Sequence, residues 1–432
     1  MAVVRAKVKP ELLKWGRTSA GFTVEEAAAK AGVKPDQVVA WETPDSDRPT
    51  MNQLRTLAKA YKRPISVFYL SKAPRDPGVM HDFRRLPGEV ALVYSPALRL
   101  EIRAAYQRRE VALSLLEEID QKPQPFTVRA ALGDDPEAAA MRAREALGIT
   151  YDNQVKWHEE RRAYNTWRRA MEDAGVLVFQ IVGIPTTEMR GFSIAEDVLP
   201  VIAVNVKDKP NGRTFSLLHE FTHLMLHESG LCDFDEDALR PAPEQRVEIF
   251  CNHVAGAALV PREHLLREPI VANSGEGRHE WSNEELEVLA RRYAVSREVV
   301  LRRLLILGRT TAAFYGAKRQ EFLAQYKRAE AEQPPPADFK RNLPQEAVSN
   351  YGRAFAELVV ATYHQDRIAL SDAAQYLGVR AKQLPTVEPD PPIDQGACIN
   401  AILHGAAGKP PPLIIAIIPL RVSRHWWNTS RH

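Results

Sequence analysis

The chain has only three cysteines in 432 residues, Cys232, Cys251 and Cys398. They are too few and too scattered for a disulfide framework, and they suit a reducing cytoplasm. Long hydrophobic runs are missing as well. The run PPPLIIAIIPL is interrupted by proline and is far shorter than the roughly 20 residues that a membrane helix needs. The N-terminus has no apolar signal core. We therefore expect a cytoplasmic protein without a membrane segment.

A strong net charge is also missing, because 58 Lys and Arg residues nearly balance 55 Asp and Glu residues, leaving +3. The whole-chain charge therefore says little about partners. Residues 1–75 differ, since 14 basic residues there stand against 7 acidic ones, an excess of seven that favours nucleic acid. The remaining composition, 45% hydrophobic and 26% charged, provides material for a sizeable core.

The pattern of apolar residues predicts a mainly α protein with a small β-sheet (α+β), organised in five parts. Residues 1–75 predict short helices, with a helix starting at Thr23, a stop at Gly32 and a second helix over Pro35–Trp41, which is a helix-turn-helix pattern. Residues 76–150 predict a helical connecting region. Residues 311–344 predict a helix and a proline-rich linker, and residues 345–432 a small helical module with a tail of unassigned fold.

Residues 151–310 combine strand and helix patterns. A helix rich in Trp and Arg is predicted over Val155–Ala174, followed by strands in VLVFQIV, RGFSI and PVIAVNV. Two helices come next, one containing FSLLHEFTHLMLH and one from about Gln245 to Leu259, which Pro261 stops. Residues 283–307 predict two further helices joined near Ala294, again resembling a helix-turn-helix unit.

The stretch FSLLHEFTHLMLH contains H-E-x-x-H at residues 219–223. Residues i and i+4 of an α-helix lie on one face about 6 Å apart along the axis, so His219 and His223 can converge on one ion. Glu220 lies about 100° round the helix, where it can hold and deprotonate a metal-bound water. Zinc suits such ligands, and manganese or iron can also occupy the set. This short motif also occurs by chance, but unpaired His and Glu would be costly inside an apolar helix.

A third ligand is needed, and three groups compete for the role. His227 continues the series at i+8, but a straight helix carries it about 6 Å further along the axis. An acidic loop offers four carboxylates that are more plausibly solvated: Asp233, Asp235, Glu236 and Asp237. Glu248 lies on the next helix, 25 residues after His223, which allows an antiparallel return. We expect Glu248 to be the ligand and His227 to bond to backbone or to an acid.

The stretch from about Trp167 to Leu307 resembles the ImmA/IrrE metallopeptidases, the DUF955 family. The resemblance rests on EDAGVLVFQ, RGFSI, PVIAVNV, FSLLHEFTHLMLH, VEIFCNHVAGAALVP and YAVSREVVLRRLLIL. Residues 1–75 resemble XRE-type (Cro/repressor-like) helix-turn-helix domains through VKPDQVVAWE and RPTMNQLRTLAKAYKRPISVFY. The tandem arrangement is similar to the XRE-plus-ImmA/IrrE proteins of bacteria, phages and mobile elements.

The resemblance implies a zincin-like domain and an intracellular zinc endopeptidase that cleaves a cognate transcriptional repressor and so derepresses genes. It implies that His219 and His223 are ligands, Glu220 is the catalytic acid/base and Glu248 is the acidic ligand. A competing interpretation is a helix-turn-helix regulator or antitoxin whose metallopeptidase fold is a sensor or scaffold with little proteolysis. The intact motif favours the enzyme, because a scaffold has no need for Glu220.

Amide hydrolysis by such a site also needs a donor for the tetrahedral oxyanion. The sequence offers four candidates for an oxyanion or supporting role: His227, His253, Tyr293 and Arg190. The RGFSI strand either presents an open edge to an extended substrate or is an ordinary strand of the sheet.

In a helix-turn-helix, the N-terminal residues of the second helix meet base edges in the major groove. Gln37 can contact adenine there, and Lys34, Lys30 and Thr23 can contact phosphate. The helix contains no Arg, and Asp36 would repel the DNA backbone, so docking to a partner protein competes with DNA binding. We favour DNA, and the chain is also compatible with a homodimer.

Overall fold

The computed structural model describes residues 5–74, 81–82, 94–232, 242–274, 279–331 and 342–387. The acidic loop, most of the proline-rich linker and most of the C-terminal tail lie outside the described residues. The described chain is mainly α-helical with one small sheet, as the sequence predicts. Within it, no helix combines the length and the apolar character that a membrane span requires.

The N-terminal part is a bundle of short helices around its own hydrophobic core. Its elements are α1 (Pro10–Ser19), α2 (Val24–Ala31), α3 (Pro35–Trp41), α4 (Met51–Ala60) and a 3-10 turn (Ile65–Tyr69). Trp41 and Phe68 are among the buried side chains at its centre. Gly32 ends α2 in the left-handed conformation (φ 67°), which glycine adopts without a steric penalty, and the chain then turns into α3.

Four helices lead from this bundle to the sheet: α5 (Pro96–Glu118), α6 (Pro136–Ala146), α7 (Tyr151–Gln154) and α8 (Glu160–Asp173). The prediction of a single helix over Val155–Ala174 is wrong at its start, because α8 begins at Glu160. The chain leaves the helical path between α7 and α8, where Trp157 is buried and His158 has a left-handed backbone (φ 57°).

The sheet has five strands in the order β1-β5-β3-β4-β2. The strands are β1 (His81–Asp82), β2 (Leu177–Ile181), β3 (Gly191–Ile194), β4 (Val201–Asn205) and β5 (Gly230–Cys232). β3 runs antiparallel to both of its neighbours, β4 and β5. The RGFSI stretch is therefore an interior strand, and its interpretation as an open edge for substrate is wrong, because both sides of its backbone are already paired.

One face of the sheet is covered by α6, α8 and a layer of helices that follows β4 in the chain. This layer consists of α9 (Pro210–Met225), α10 (Ala242–Leu259), α11 (Arg262–Arg267), α12 (Pro269–Ala272), α13 (Asn283–Tyr293), α14 (Arg297–Ile306) and α15 (Ala312–Ala331). The predicted joint between α13 and α14 is confirmed, since Ala294 ends α13 in the left-handed conformation.

The other face of the sheet is covered by α5 and by the C-terminal helices. These are α16 (Leu343–Tyr351), α17 (Arg353–His364), α18 (Leu370–Tyr376) and a 3-10 turn (Ala381–Thr386). Strands β2, β3 and β4 are buried along their whole length. Both faces of the sheet are thus covered, and α9 packs against one of these faces.

Candidate functional site

Helix α9 carries three buried ionisable side chains in its last two turns. Its apolar residues Leu217, Leu218, Phe221, Leu224 and Met225 belong to the core between α8, α10 and the sheet. Packing of these residues draws the polar face inward as well. His219, Glu220 and His223 are each 0% exposed. Ionisable groups at this depth need compensating partners, and α10 provides them for the two histidines through Glu248 and Asn252.

Glu248 of α10 meets the two histidines. His223 Nε2 lies 3.1 Å from Glu248 Oε1 and 3.2 Å from His219 Nε2. His219 Nε2 lies 3.5 Å from Glu248 Oε2. One ligand atom from each residue falls within 4.8 Å of the others. Two imidazole nitrogens and a carboxylate oxygen thus converge on one point, which is the donor set of a three-ligand catalytic zinc site.

Asn252, one turn beyond Glu248 on α10, orients the first histidine. His219 Nδ1 and Asn252 Oδ1 are 2.9 Å apart. An amide oxygen only accepts hydrogen bonds, so Nδ1 carries the proton and the lone pair of His219 lies on Nε2, the atom that faces Glu248. Ligand histidines in metal sites are commonly held in this way.

The environment of the cluster favours the protonation states of His219 and Glu248 that can bind a metal ion. Burial lowers the pKa of His219, which favours the neutral imidazole. Burial alone would raise the pKa of Glu248, but the adjacent histidines outweigh it and hold that pKa below its ordinary value. A neutral imidazole and an ionised carboxylate are the forms that bind a metal ion.

Cys251 lies on α10 between the ligand candidate Glu248 and Asn252, and it is fully buried. Burial raises the pKa of its thiol to about 11, against the opposing effect of His223. Because of this raised pKa, the thiol stays protonated near neutral pH. Only the thiolate is a strong metal ligand, so Cys251 lies next to the cluster without being a ligand candidate.

Glu220 points toward the sheet, where β3 begins with a glycine. A Cβ added to Gly191 would lie 2.6 Å from Glu220 Oε1 and 3.0 Å from Glu220 Cγ. The first distance is shorter than real Cβ contacts, and the second is tighter than nine in ten of them. The absence of a side chain at Gly191 therefore makes room for the Glu220 carboxylate beside the His–His–Glu cluster.

The C-terminal end of α10 is held by three buried polar side chains. Its last carbonyls have no partner within the helix. Arg144 Nη1 donates to Ala258 O at 2.6 Å, and Gln154 Nε2 donates to Leu259 O at 2.8 Å. Arg303 Nε donates to the following carbonyl, that of Val260, at 3.0 Å. These contacts fix the helix that presents Glu248 and Asn252.

The four candidate oxyanion donors each contact an acid outside the cluster. The contacts are His227 Nδ1 to Asp197 Oδ1 at 3.8 Å, His253 Nε2 to Glu137 Oε1 at 3.4 Å, Tyr293 Oη to Glu268 Oε1 at 3.5 Å, and Arg190 Nη1 to Asp208 Oδ2 at 3.3 Å. His227 also has a left-handed backbone (φ 58°) beyond the end of α9, and its side chain is half-exposed. The structure does not bring His227 into the metal cluster.

The residues proposed for DNA contact lie on the surface of the N-terminal bundle: Thr23, Lys30, Lys34 and Gln37 are all exposed. Thr23 and Glu26 close a capping box at the start of α2, with bonds of 3.1 and 2.8 Å. Gln37 Oε1 accepts the backbone N–H of Lys34 at 3.3 Å. The amide of Gln37 is therefore held at the N-terminal end of α3, the end that meets base edges in a helix-turn-helix.

Comparison with known protein families agrees with both parts of this architecture. Residues 171–305 match the family model Peptidase_M78, described as the IrrE N-terminal-like domain. This part of the chain is IrrE-like. Residues 13–68 match the helix-turn-helix family HTH_3. A comparison with curated proteins gives no match. The two family matches support a DNA-binding regulator that carries a metallopeptidase domain, and the IrrE-like segment contains the whole His–His–Glu cluster.

Two residues of this site in the IrrE-like domain were not singled out from the sequence. Asn252 follows Glu248 by four positions, so the i and i+4 spacing that identified the histidines also places these two on one face of α10. Gly191 is the second residue of the RGFSI stretch and the first of β3, but its role depends on how β3 packs against α9. No local pattern would have shown that contact.

Proposed function

We propose that this chain is a DNA-associated zinc endopeptidase that cleaves a transcriptional repressor. One observation carries the proposal: two imidazoles and a carboxylate converge in a buried cluster, and Glu220, the fully buried residue that follows His219, supplies a second carboxylate. The helix-turn-helix on the same chain supports action at a promoter or on a DNA-bound substrate.

The residues present fit a zinc ion. His219, His223 and Glu248 would hold it, and the bond from His219 Nδ1 to Asn252 sets the ring nitrogen that faces the ion. A bound zinc ion would polarise the scissile carbonyl and supply a water with a pKa of roughly 7. Manganese or iron would satisfy the same ligands.

Glu220 carries the proton chemistry in this proposal. Its carboxylate accepts a proton from the attacking water and delivers it to the amide nitrogen as the C–N bond breaks. Gly191, which has no Cβ, leaves the space that this carboxylate occupies. Among the four candidate oxyanion donors, Arg190 is the one that adjoins Gly191 in sequence.

The alternative, a regulator whose peptidase fold only senses or scaffolds, explains the metal ligands but not Glu220. A scaffold gains nothing from burying a further carboxylate beside a metal site, where its desolvation is costly. The accommodation of Glu220 by Gly191 therefore favours catalysis.

The test uses purified zinc-loaded protein and the repressor encoded beside its gene. We expect a defined cleavage product from the wild-type chain and none from Glu220→Gln, which should still bind zinc with wild-type stoichiometry. Cleavage by Glu220→Gln at the wild-type rate would refute the assigned mechanism. A wild-type chain that binds zinc and never cleaves would favour the scaffold.

A further inference from the structure

Residues 370–387 repeat the pattern of the helix-turn-helix at residues 24–41. The two stretches read VEEAAAKAGVKPDQVVAW and LSDAAQYLGVRAKQLPTV. Both have an Ala-Ala pair, then a Gly-Val pair at the turn, a basic residue directly after it, and a glutamine three residues later. The second stretch lies outside both family matches, which cover residues 13–68 and 171–305.

The backbone of the two turns is the same. The turn glycine is left-handed in each, with φ of 67° at Gly32 and 62° at Gly378. The valine after it donates to the second alanine of the pair at 3.0 Å in both turns; the bonds are Val33 N to Ala28 O and Val379 N to Ala374 O. This bond closes the first helix and sets the angle at which the chain enters the second.

The glutamine in each second helix makes the same capping contact. Gln37 Oε1 accepts the N–H of Lys34 at 3.3 Å, and Gln383 Oε1 accepts the N–H of Arg380 at 3.1 Å. The buried positions also correspond. In the N-terminal unit they are Ala27, Ala28, Val38 and Trp41, and in the C-terminal unit Ala373, Ala374, Leu384 and Val387, all at most 5% exposed.

The C-terminal unit differs from the first in the charge of its recognition positions. Lys382 stands where the N-terminal unit has Asp36, and Arg380 stands where it has Lys34. Arg380 and Lys382 are both exposed. The second element is a 3-10 turn that contains Pro385 near its end, after the positions that would face a base pair. This unit therefore suits a phosphate backbone better than the N-terminal one.

A third turn of this type joins α13 and α14. The polar side chains that follow it are bonded within the protein. Ala294 is left-handed there, and Val295 N donates to Ala290 O at 2.9 Å. Two polar side chains at the start of α14 are engaged by α15. Arg297 donates to Gln325 at 2.7 Å, and Glu298 accepts from Arg319 at 3.2 Å. The recognition positions of the C-terminal unit, in contrast, face solvent.

We propose that residues 370–387 form a second helix-turn-helix that binds duplex DNA through Arg380 and Lys382. The chain would then hold DNA at two places, one at each end of its described part. Because the second site is tethered to the first, it would raise the overall affinity without needing to be strong by itself. This proposal does not depend on proteolysis.

The test measures binding of the full chain to two fluorescent duplexes, its own promoter region and a random sequence, across a salt series. The variant is Arg380→Ala/Lys382→Ala, made in the wild-type chain and in a Lys30→Ala/Lys34→Ala background. The plot of log K against log salt has a negative slope, and each lost phosphate contact makes it shallower by about 0.9. We therefore expect the steepness of the slope to decrease by about 2 in both backgrounds.

A matched control removes two exposed charges elsewhere, through Lys156→Ala/Arg262→Ala. It should leave the slope unchanged, and all variants should unfold at the wild-type temperature. An unchanged slope in Arg380→Ala/Lys382→Ala would overturn the proposal. An equal decrease in the control would also overturn it, because DNA would then respond to overall charge and not to this surface.

Discussion

At the scale of single residues, a variant at the contact between Gly191 and Glu220 tests the proposed catalytic role of Glu220 separately from metal binding. We predict that Gly191→Ala leaves zinc binding intact and lowers cleavage by one to two orders of magnitude, because a Cβ 2.6 Å from Glu220 Oε1 must displace the proposed general base. Zinc content and cleavage rate measured on the same preparation test this. The control is Gly316→Ala, where a Cβ meets nothing within 4 Å. Equal cleavage by the two variants would contradict the prediction.

Asn252 should act on the metal through His219. Replacing it with leucine removes the acceptor of the 2.9 Å bond and frees the ring to rotate or change tautomer. We predict a decrease in zinc affinity of about 10- to 100-fold, the usual effect of losing such a partner. Competition with a chromogenic chelator measures it. Asn252→Asp keeps an acceptor and should retain most of the affinity. A leucine variant with wild-type affinity would show that Asn252 does not orient the ligand.

The sequence predicted more of this site than of its surroundings, for a physical reason. Spacing along one helix places His219, Glu220 and His223, and the length of the intervening loop allows Glu248 to return. Gly191 and the partners of His253 and Tyr293 depend on packing between distant elements, which no local period encodes.

At the scale of elements, the buried side chains of Arg168 and Glu172 fasten the C-terminal helices to α8. Arg168 bonds to Glu172 at 3.2 Å and donates to Ser349 O at 2.7 Å and Val178 O at 2.8 Å. The backbone N–H of Arg353 donates to Glu172 Oε1 at 3.2 Å. One of these bonds occupies the carbonyl of Val178 on the edge strand β2, so that this carbonyl is not open to pairing with another strand.

Glu172 should make stability depend on pH. Burial raises its pKa from 4.5 to about 7, despite the opposing charge of Arg168. The folded protein therefore binds a proton that the unfolded chain releases above its ordinary pKa, and this contribution to stability is lost as pH rises from 4.5 through 7. We predict that the melting temperature of Glu172→Gln falls less over this range than that of the wild type.

The control for this comparison is Glu117→Gln, which changes an exposed carboxyl on α5. Its melting temperature should follow the wild-type pH curve. A Glu172→Gln curve parallel to the wild type would mean that Glu172 is ionised throughout the range.

The elements themselves were largely predictable. The helix Pro35–Trp41 has the predicted bounds, because a proline starts it and buried apolar positions fix it. The three long strands lie where their apolar runs predict. Strands β1 and β5 are two and three residues long, too short for any periodicity, so their pairing and the interior position of β3 could not be predicted.

At the scale of the whole molecule, α5 connects the N-terminal helix-turn-helix bundle to the sheet. Arg103 donates to Tyr61 O at 2.5 Å, at the end of α4, and Arg109 donates to Leu199 O at 3.1 Å, next to β4. The same helix packs with α17 over the second face of the sheet. The sequence showed α5 as a helix but gave no sign of this double contact.

The C-terminal helices should be required for the sheet to fold. A chain ending after residue 341 would expose core side chains such as Phe179, Phe192 and Leu177, which pack against α17 and its neighbours. We predict that it aggregates or binds a hydrophobic dye, since apolar burial is the main favourable term in folding. A chain lacking residues 1–74 loses a separate core and should stay soluble. A soluble, cooperatively folded chain ending at residue 341 would contradict this.

The central claim is that His219, His223 and Glu248 share one metal ion beside Glu220. Anomalous diffraction at the zinc edge from zinc-loaded crystals tests it most directly. The account predicts one strong peak about 2.0–2.2 Å from His219 Nε2, His223 Nε2 and a Glu248 carboxylate oxygen. A zinc-loaded protein whose anomalous peak lies elsewhere, or that shows none among these three side chains, would contradict it.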